Sequence, residues 1–163
     1  MATITEAAQA EPAKLEREVV LTRRIAAPRA LVFQALTKPE HIMRWWGPHG
    51  YTAPECEVDL RLGGAMRIVM HGPAGERHPM TGTIDDLHPP ERFGYTFEAH
   101  LQEGVIALRG HNAVVLTEID GQTELTLTAR ARGLVPEAAF MLQGMQAGWS
   151  QTLDRLAALF IPA

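Results

Sequence analysis

Seven histidines, one serine and one cysteine are the groups through which this 163-residue chain could do metal, acid–base or nucleophilic chemistry. Their spacing argues against each of these. No His-x-x-x-His or His-Glu-x-x-His pair occurs, the arrangement that places two imidazoles on one helical face for a zinc ion. His71 and His78 flank one turn, and the expected strand register sends them to opposite faces. His100 and His111 flank a loop without a clear third ligand. Ser150 sits in Gly148-Trp149-Ser150-Gln151-Thr152, inside a helical pattern and not at a strand-to-helix elbow. Cys56 alternates with Val58 and Leu60 toward the core, as a small hydrophobe does. The carboxylates Asp85, Asp86 and Glu91 gather beside Pro89-Pro90 and read as solvated turn residues. Asp59 and Arg61 share one side of a strand, either as a polar handle at a cavity mouth or as a surface charge pair. No glycine-rich phosphate loop is present, and no catalytic residue, metal site or cofactor is expected.

Bulk composition narrows the classes further. A chain of this length forms one domain with one sizeable core. With 46% hydrophobic and 21% charged residues it has the make-up of an ordinary soluble protein. A net charge of −4 gives no electrostatic reason to bind nucleic acid, and no basic run suggests a membrane surface. No apolar run approaches the ~20 residues that span a bilayer. Residues 1–15 lack the basic start and apolar block of a secretory signal and are expected to form a tail, with the domain over 16–161. One cysteine excludes an internal disulfide and fits a reducing cytoplasm.

Periodicity supplies the elements. Val19, Leu21 and Ile25 mark a first strand, and Pro28 stands where a helix can begin. That helix shows an apolar face of Leu31, Val32, Ala35 and Leu36. A second short helix runs from Pro39 to Trp45 or Trp46, ended by Gly47-Pro48. Period-2 alternation then predicts strands through Cys56–Leu60, Met66–Met70 and Phe93–Ala99, with six strands expected after the helices. Asp120-Gly121 predicts a hairpin pairing Leu116 with Leu125 and Val114 with Leu127. Around Gly72-Pro73-Ala74-Gly75 the expected register pairs Met70 with Met80 and Met66 with Ile84. An apolar stripe from Ala138 to Phe160 predicts one long helix over Pro136–Phe160, roughly 37 Å at ~1.5 Å per residue.

These residues carry a resemblance. Trp45-Trp46-Gly47-Pro48, Asp59-x-Arg61-x-Gly63-Gly64, Gly82-x-Ile84 leading to Pro89-x-Glu91-Arg92, Tyr95-x-Phe97, and Gly148-Trp149 before Leu153 and Leu156 follow in this order. Together they resemble the family named after the C-terminal domain of the heat-shock protein 90 ATPase activator, within the START-like, helix-grip (SRPBCC) superfamily. The resemblance covers about residues 16 to 160. It implies an α+β fold: a curved antiparallel sheet of six to seven strands around a long C-terminal helix, with two short helices after strand 1. It also implies a space between sheet and helix. The eukaryotic co-chaperone carries a separate N-terminal domain with no counterpart ahead of Glu16, so chaperone activation is not expected.

The expected function is binding of a small apolar molecule in that space. Trp45, Trp46 and Trp149 each could bury ~150–250 Å², either as core or as cavity wall. Met66, Met70, Met80, Met141 and Met145 fall on inward faces, where flexible thioethers suit an adaptable pocket or fill gaps. The expected wall is Trp45, Trp46, Met66, Met70, Tyr95, Phe97, Met145 and Trp149, with the Tyr95 hydroxyl and the Trp149 indole N–H as polar handles. Two other functions compete. A protein-interaction module related to the co-chaperone domain requires a filled interior and an exposed apolar patch. An enzyme of polyketide-cyclase type requires an arginine or histidine facing the cavity. An exposed sheet edge or apolar patch would allow a homodimer.

Overall fold

A computed structural model describes residues 15–102 and 104–161. The expected tail thus lies outside the described residues, apart from Leu15, whose carbonyl accepts from the amide of Gly133 at 2.7 Å. One antiparallel sheet of seven strands dominates the fold. Its strands are β1 (Glu16–Ile25), β2 (Thr52–Val58), β3 (Ala65–His71), β4 (Arg77–His88), β5 (Arg92–Gln102), β6 (Val105–Ile119) and β7 (Gln122–Gly133). Strands β2 to β7 form a continuous meander, and β1 joins it beside β7, giving the order β1-β7-β6-β5-β4-β3-β2. The helices α1 (Arg29–Thr37) and α2 (Pro39–Trp45) connect the two edges of the sheet. The C-terminal helices α3 (Ala138–Gln143) and α4 (Met145–Ala158) complete the cover.

Local chemistry explains the short helices. Pro28 is the N-cap of α1, and the free amide of Arg29 donates to Glu118 Oε1 at 3.0 Å. The buried side of α1 is Val32, Phe33, Ala35 and Leu36, while Leu31 is half exposed, contrary to expectation. Leu60 is likewise exposed, because β2 ends at Val58 and the chain turns through Asp59–Gly64. The turn is tight: a Cβ on Gly64 would lie 1.9 Å from the carbonyl oxygen of Asp59. Within it Arg61 Nε donates to Asp59 Oδ2 at 2.8 Å, both side chains exposed, so this is a surface pair.

The Asp120-Gly121 hairpin has the expected register, Leu116 opposite Leu125 and Val114 opposite Leu127. Asp120 and Gly121 both adopt positive φ there. The β3–β4 register differs from expectation by two residues: Met70 pairs with His78, Ile68 with Met80 and Met66 with Gly82. A two-residue slip keeps every side chain on its own face, so face patterning alone does not distinguish the registers. The tighter loop carries a hydrogen bond from Gly72 N to Glu76 O at 2.8 Å.

The long helix is interrupted at Gly144, which is the break between α3 and α4. Arg17 of β1 explains the interruption. Its Nη1 donates to the carbonyl of Leu142 at 2.8 Å and of Gln143 at 3.0 Å, satisfying acceptors a continuous helix would have bonded internally. Further along β1, Arg23 reaches α4 through Asp154 at 3.0 Å and the Ser150 hydroxyl at 2.6 Å. Two β1 arginines therefore tie both helices to one edge of the sheet. The core between the layers includes Ile25, Trp45, Ile68, Ile84, Leu125, Leu127, Leu153 and Leu156, all nearly inaccessible.

Candidate functional site: a cavity between sheet and C-terminal helices

A cavity of about 390 Å³ lies between the sheet and α3–α4. The sheet contributes Met70, His78 and Met80 from β3–β4, Phe97, Ala99 and His100 from β5, and Leu108, Asn112 and Ala131 beyond them. The helices contribute Phe140, Met141, Met145, Trp149 and Thr152. The loop after α2 closes one side with Trp46, Pro48 and Tyr51.

Several features of the chain make this space. Phe97 pairs with Gly82 on one side and Gly110 on the other, and Gly110 pairs onward with Ala131. This row of small residues leaves the ring lying over Gly110, where a Cβ would come within 2.9 Å of Phe97 Cζ. On the helical side Gly144 and Gly148 line the space, and a Cβ built on Gly148 would meet nothing within 4 Å. At the loop, Gly47 takes a φ of +104°, open to glycine, and directs Pro48 and Tyr51 over the cavity.

Of the eight expected wall residues, Trp46, Met70, Phe97, Met145 and Trp149 line the cavity. Trp45, Met66 and Tyr95 do not. Trp45 is 2% exposed, and its indole N–H donates to the Ala35 carbonyl at 2.9 Å, fixing α2 to α1. Adjacent residues at a helix end point in different directions, so the two tryptophans separate into core and wall. Contact between them persists: Trp45, Trp46 and Trp149 form a chain of rings with centroids 5.5 Å apart at each step. Met66 packs in the core. The Tyr95 hydroxyl, expected as a handle for ligand, accepts from Asn112 Nδ2 at 3.1 Å, and burial pushes its phenol pKa up.

Beyond the expected handles, the wall carries Asn112, His100 and His78. Asn112 is 4% exposed with its Oδ1 lacking a hydrogen-bond partner. Neither ring nitrogen of His100 has a hydrogen-bond partner, and His78 Nε2 has only the Glu76 carboxylate, 3.9 Å away. His78 and Asn112 were legible by extending alternation two residues from Met80 and from Val114. His100 was not, because β5 carries a register shift between Ala99 and His100 that turns consecutive side chains to the same cavity. The other histidines of the two candidate pairs lie elsewhere. His71 contacts Glu55 at 3.2 Å and His111 contacts Asp85 at 2.9 Å. Among the described residues no group of three or more His, Cys, Asp or Glu could hold a metal ion. Nor is any helix among them long and apolar enough to cross a membrane.

A curved antiparallel sheet closed by C-terminal helices over an internal space defines the helix-grip class of START-like proteins. The sequence profile described as Activator of Hsp90 ATPase homolog 1-like protein matches residues 26–160, and the chain belongs to that family. Solved structures agree. A Chromobacterium violaceum protein is 27% identical, with a TM-score of 0.73, over 90% of this chain and 99% of its own. A Rhizobium leguminosarum protein is 26% identical, with a TM-score of 0.75, over 89% and 94%. A Silicibacter pomeroyi protein described by the same family name is 26% identical, with a TM-score of 0.70, over 87% and 96%. Comparison with curated proteins gives no match.

Proposed function

We propose that this protein binds a small, largely apolar molecule in the cavity between the sheet and α3–α4. The observation that carries the reading is the cavity itself, about 390 Å³ walled by tryptophan, methionine and phenylalanine. The wall is mostly apolar, and an apolar molecule seated against it takes that surface out of water. Its volume falls within the ~300–1,000 Å³ usual for small-molecule sites. Met70, Met80, Met141 and Met145 supply flexible, polarisable contacts. The open interior weighs against a filled interaction module of co-chaperone type. The lone cysteine is the basis for placing the protein in the cytoplasm.

Native mass spectrometry of gently purified protein, followed by solvent extraction, tests this. We expect a stoichiometric small molecule that is lost on Trp149→Ala or Met70→Trp. A clean unliganded mass, with no thermal shift across an apolar ligand panel, would sink the reading.

His78 and His100 favour a second reading, an enzyme of polyketide-cyclase type. Imidazole is the side chain most often used for general acid–base catalysis, and these two face the cavity. Turnover of the extracted molecule by wild type, abolished in His100→Phe, would separate this reading from simple binding.

A further inference from the structure

Asn112, His100 and His78, the cavity side chains with a buried nitrogen or oxygen lacking a hydrogen bond, do not cluster. Asn112 pairs across the sheet with Tyr95, five residues before His100 on β5. At ~3.3 Å per residue that separation is on the order of 15 Å along the strand. His78 belongs to the His100 level, since Met80 pairs with Ala99. Between the two levels the sheet side of the wall is Phe97 with Ala131, then Ala99 with Leu108. A single polar head cannot reach both ends of such a space.

We propose that the ligand is elongated, with a neutral hydroxyl at each end and an apolar middle, Asn112 holding the inner hydroxyl and His100 with His78 the outer one. This rests on the ligand-binding reading above. The buried Asn112 amide spends its Nδ2 on Tyr95 and leaves Oδ1 bare, a state that is costly until a donor arrives. At the other end His100 offers two free ring nitrogens, one donor and one acceptor in the neutral ring. A hydroxyl both donates and accepts, so it fits either end. A carboxylate does not fit the inner end: it has no hydrogen to give the bare Asn112 Oδ1, and two acceptors would face each other. Among the described residues no lysine or arginine lines the cavity. Arg155 of α4 directs its guanidinium at the backbone carbonyls of the 46–51 loop.

The test is a ladder of probes on the intact protein: biphenyl, its para-hydroxy derivative and its para,para′-dihydroxy derivative, titrated by calorimetry. We expect each hydroxyl to tighten binding by about tenfold, the size of one or two good buried hydrogen bonds. Asn112→Leu should erase one step and His100→Phe the other. Equal affinity for all three compounds overturns the two-ended ligand and leaves the apolar cavity reading standing. A gain from the first hydroxyl alone overturns the second end. Tighter binding of para-biphenylcarboxylate than of the para-hydroxy compound overturns the neutral head. Failure of every probe to bind overturns the cavity reading itself. The wild-type ladder decides the matter even if either variant does not fold.

Discussion

Arg155 Nη1 donates to the carbonyl oxygen of Gly47 at 2.8 Å, so the last helix holds the loop that closes one side of the cavity. The same nitrogen lies 3.0 Å from the Tyr51 carbonyl and 3.3 Å from that of Trp46. A charged group converging on several loop carbonyls satisfies acceptors that the abrupt end of α2 leaves open. The cavity wall and the packing of α4 are thereby joined through one side chain.

Replacing this arginine should loosen the loop. Arg155→Met is expected to lower stability by about 2 kcal/mol, the range for hydrogen bonds to a charged donor. It should also weaken binding of any cavity probe, since Trp46 and Tyr51 lose their anchor. Urea unfolding and calorimetric titration measure the two effects. Unchanged values in both would show that the loop holds without the clamp.

The paired tryptophans should respond oppositely. Trp45→Phe removes a buried N–H donor and part of a ring, leaving the Ala35 carbonyl unpaired, and should cost about 2–3 kcal/mol of stability with little change in probe affinity. Trp46→Ala should weaken probe binding several-fold at a smaller cost in stability, because its ring is only half buried. If Trp45→Phe proved the more damaging to binding, the division into core and wall would be wrong.

Gly110 is expected to tolerate no side chain. A Cβ there would lie 2.0 Å from the backbone carbonyl of Arg130 and 2.9 Å from the Phe97 ring. Gly110→Ala should therefore destabilise by about 1–3 kcal/mol, as overpacking does, and shift the ring that floors the cavity. A melting temperature equal to wild type would contradict the geometry.

Glu55 sets part of the acid response. Hydrogen bonding from Arg77, then from His71, lowers its pKa from 4.5 to about 2. A depressed folded-state pKa contributes stability above pH 4.5 that is lost as pH falls toward 2. Wild type should lose stability across that window more steeply than Glu55→Gln. Parallel stability curves for the two would remove Glu55 as a contributor.

Cys56 should be slow to alkylate. Burial pushes its thiol pKa up to about 11, so little thiolate is present at pH 8. Reaction with iodoacetamide should accelerate as pH rises toward 11, and fast labelling at pH 8 in native protein would refute the assignment.

Much of this protein was legible from the chain alone, for reasons that are local. Alternation over Val114–Leu116 and Leu125–Leu127, with Asp120-Gly121 between, specified a hairpin down to its register, because a two-residue turn leaves no freedom. The motifs from Trp45 to Trp149 carried the family. The five-residue loop before β4 allowed the strand to slip by two without exposing any apolar side chain, and only the packed sheet decided which register held. The helix break depended on Arg17, more than a hundred residues distant in sequence. His100 reached the cavity through a bulge, and Trp45 left it through a hydrogen bond to Ala35. Periodicity reports which face a side chain occupies. Which of those faces closes on itself and which opens onto a cavity is set by contacts between distant segments, and those exist only in the folded chain.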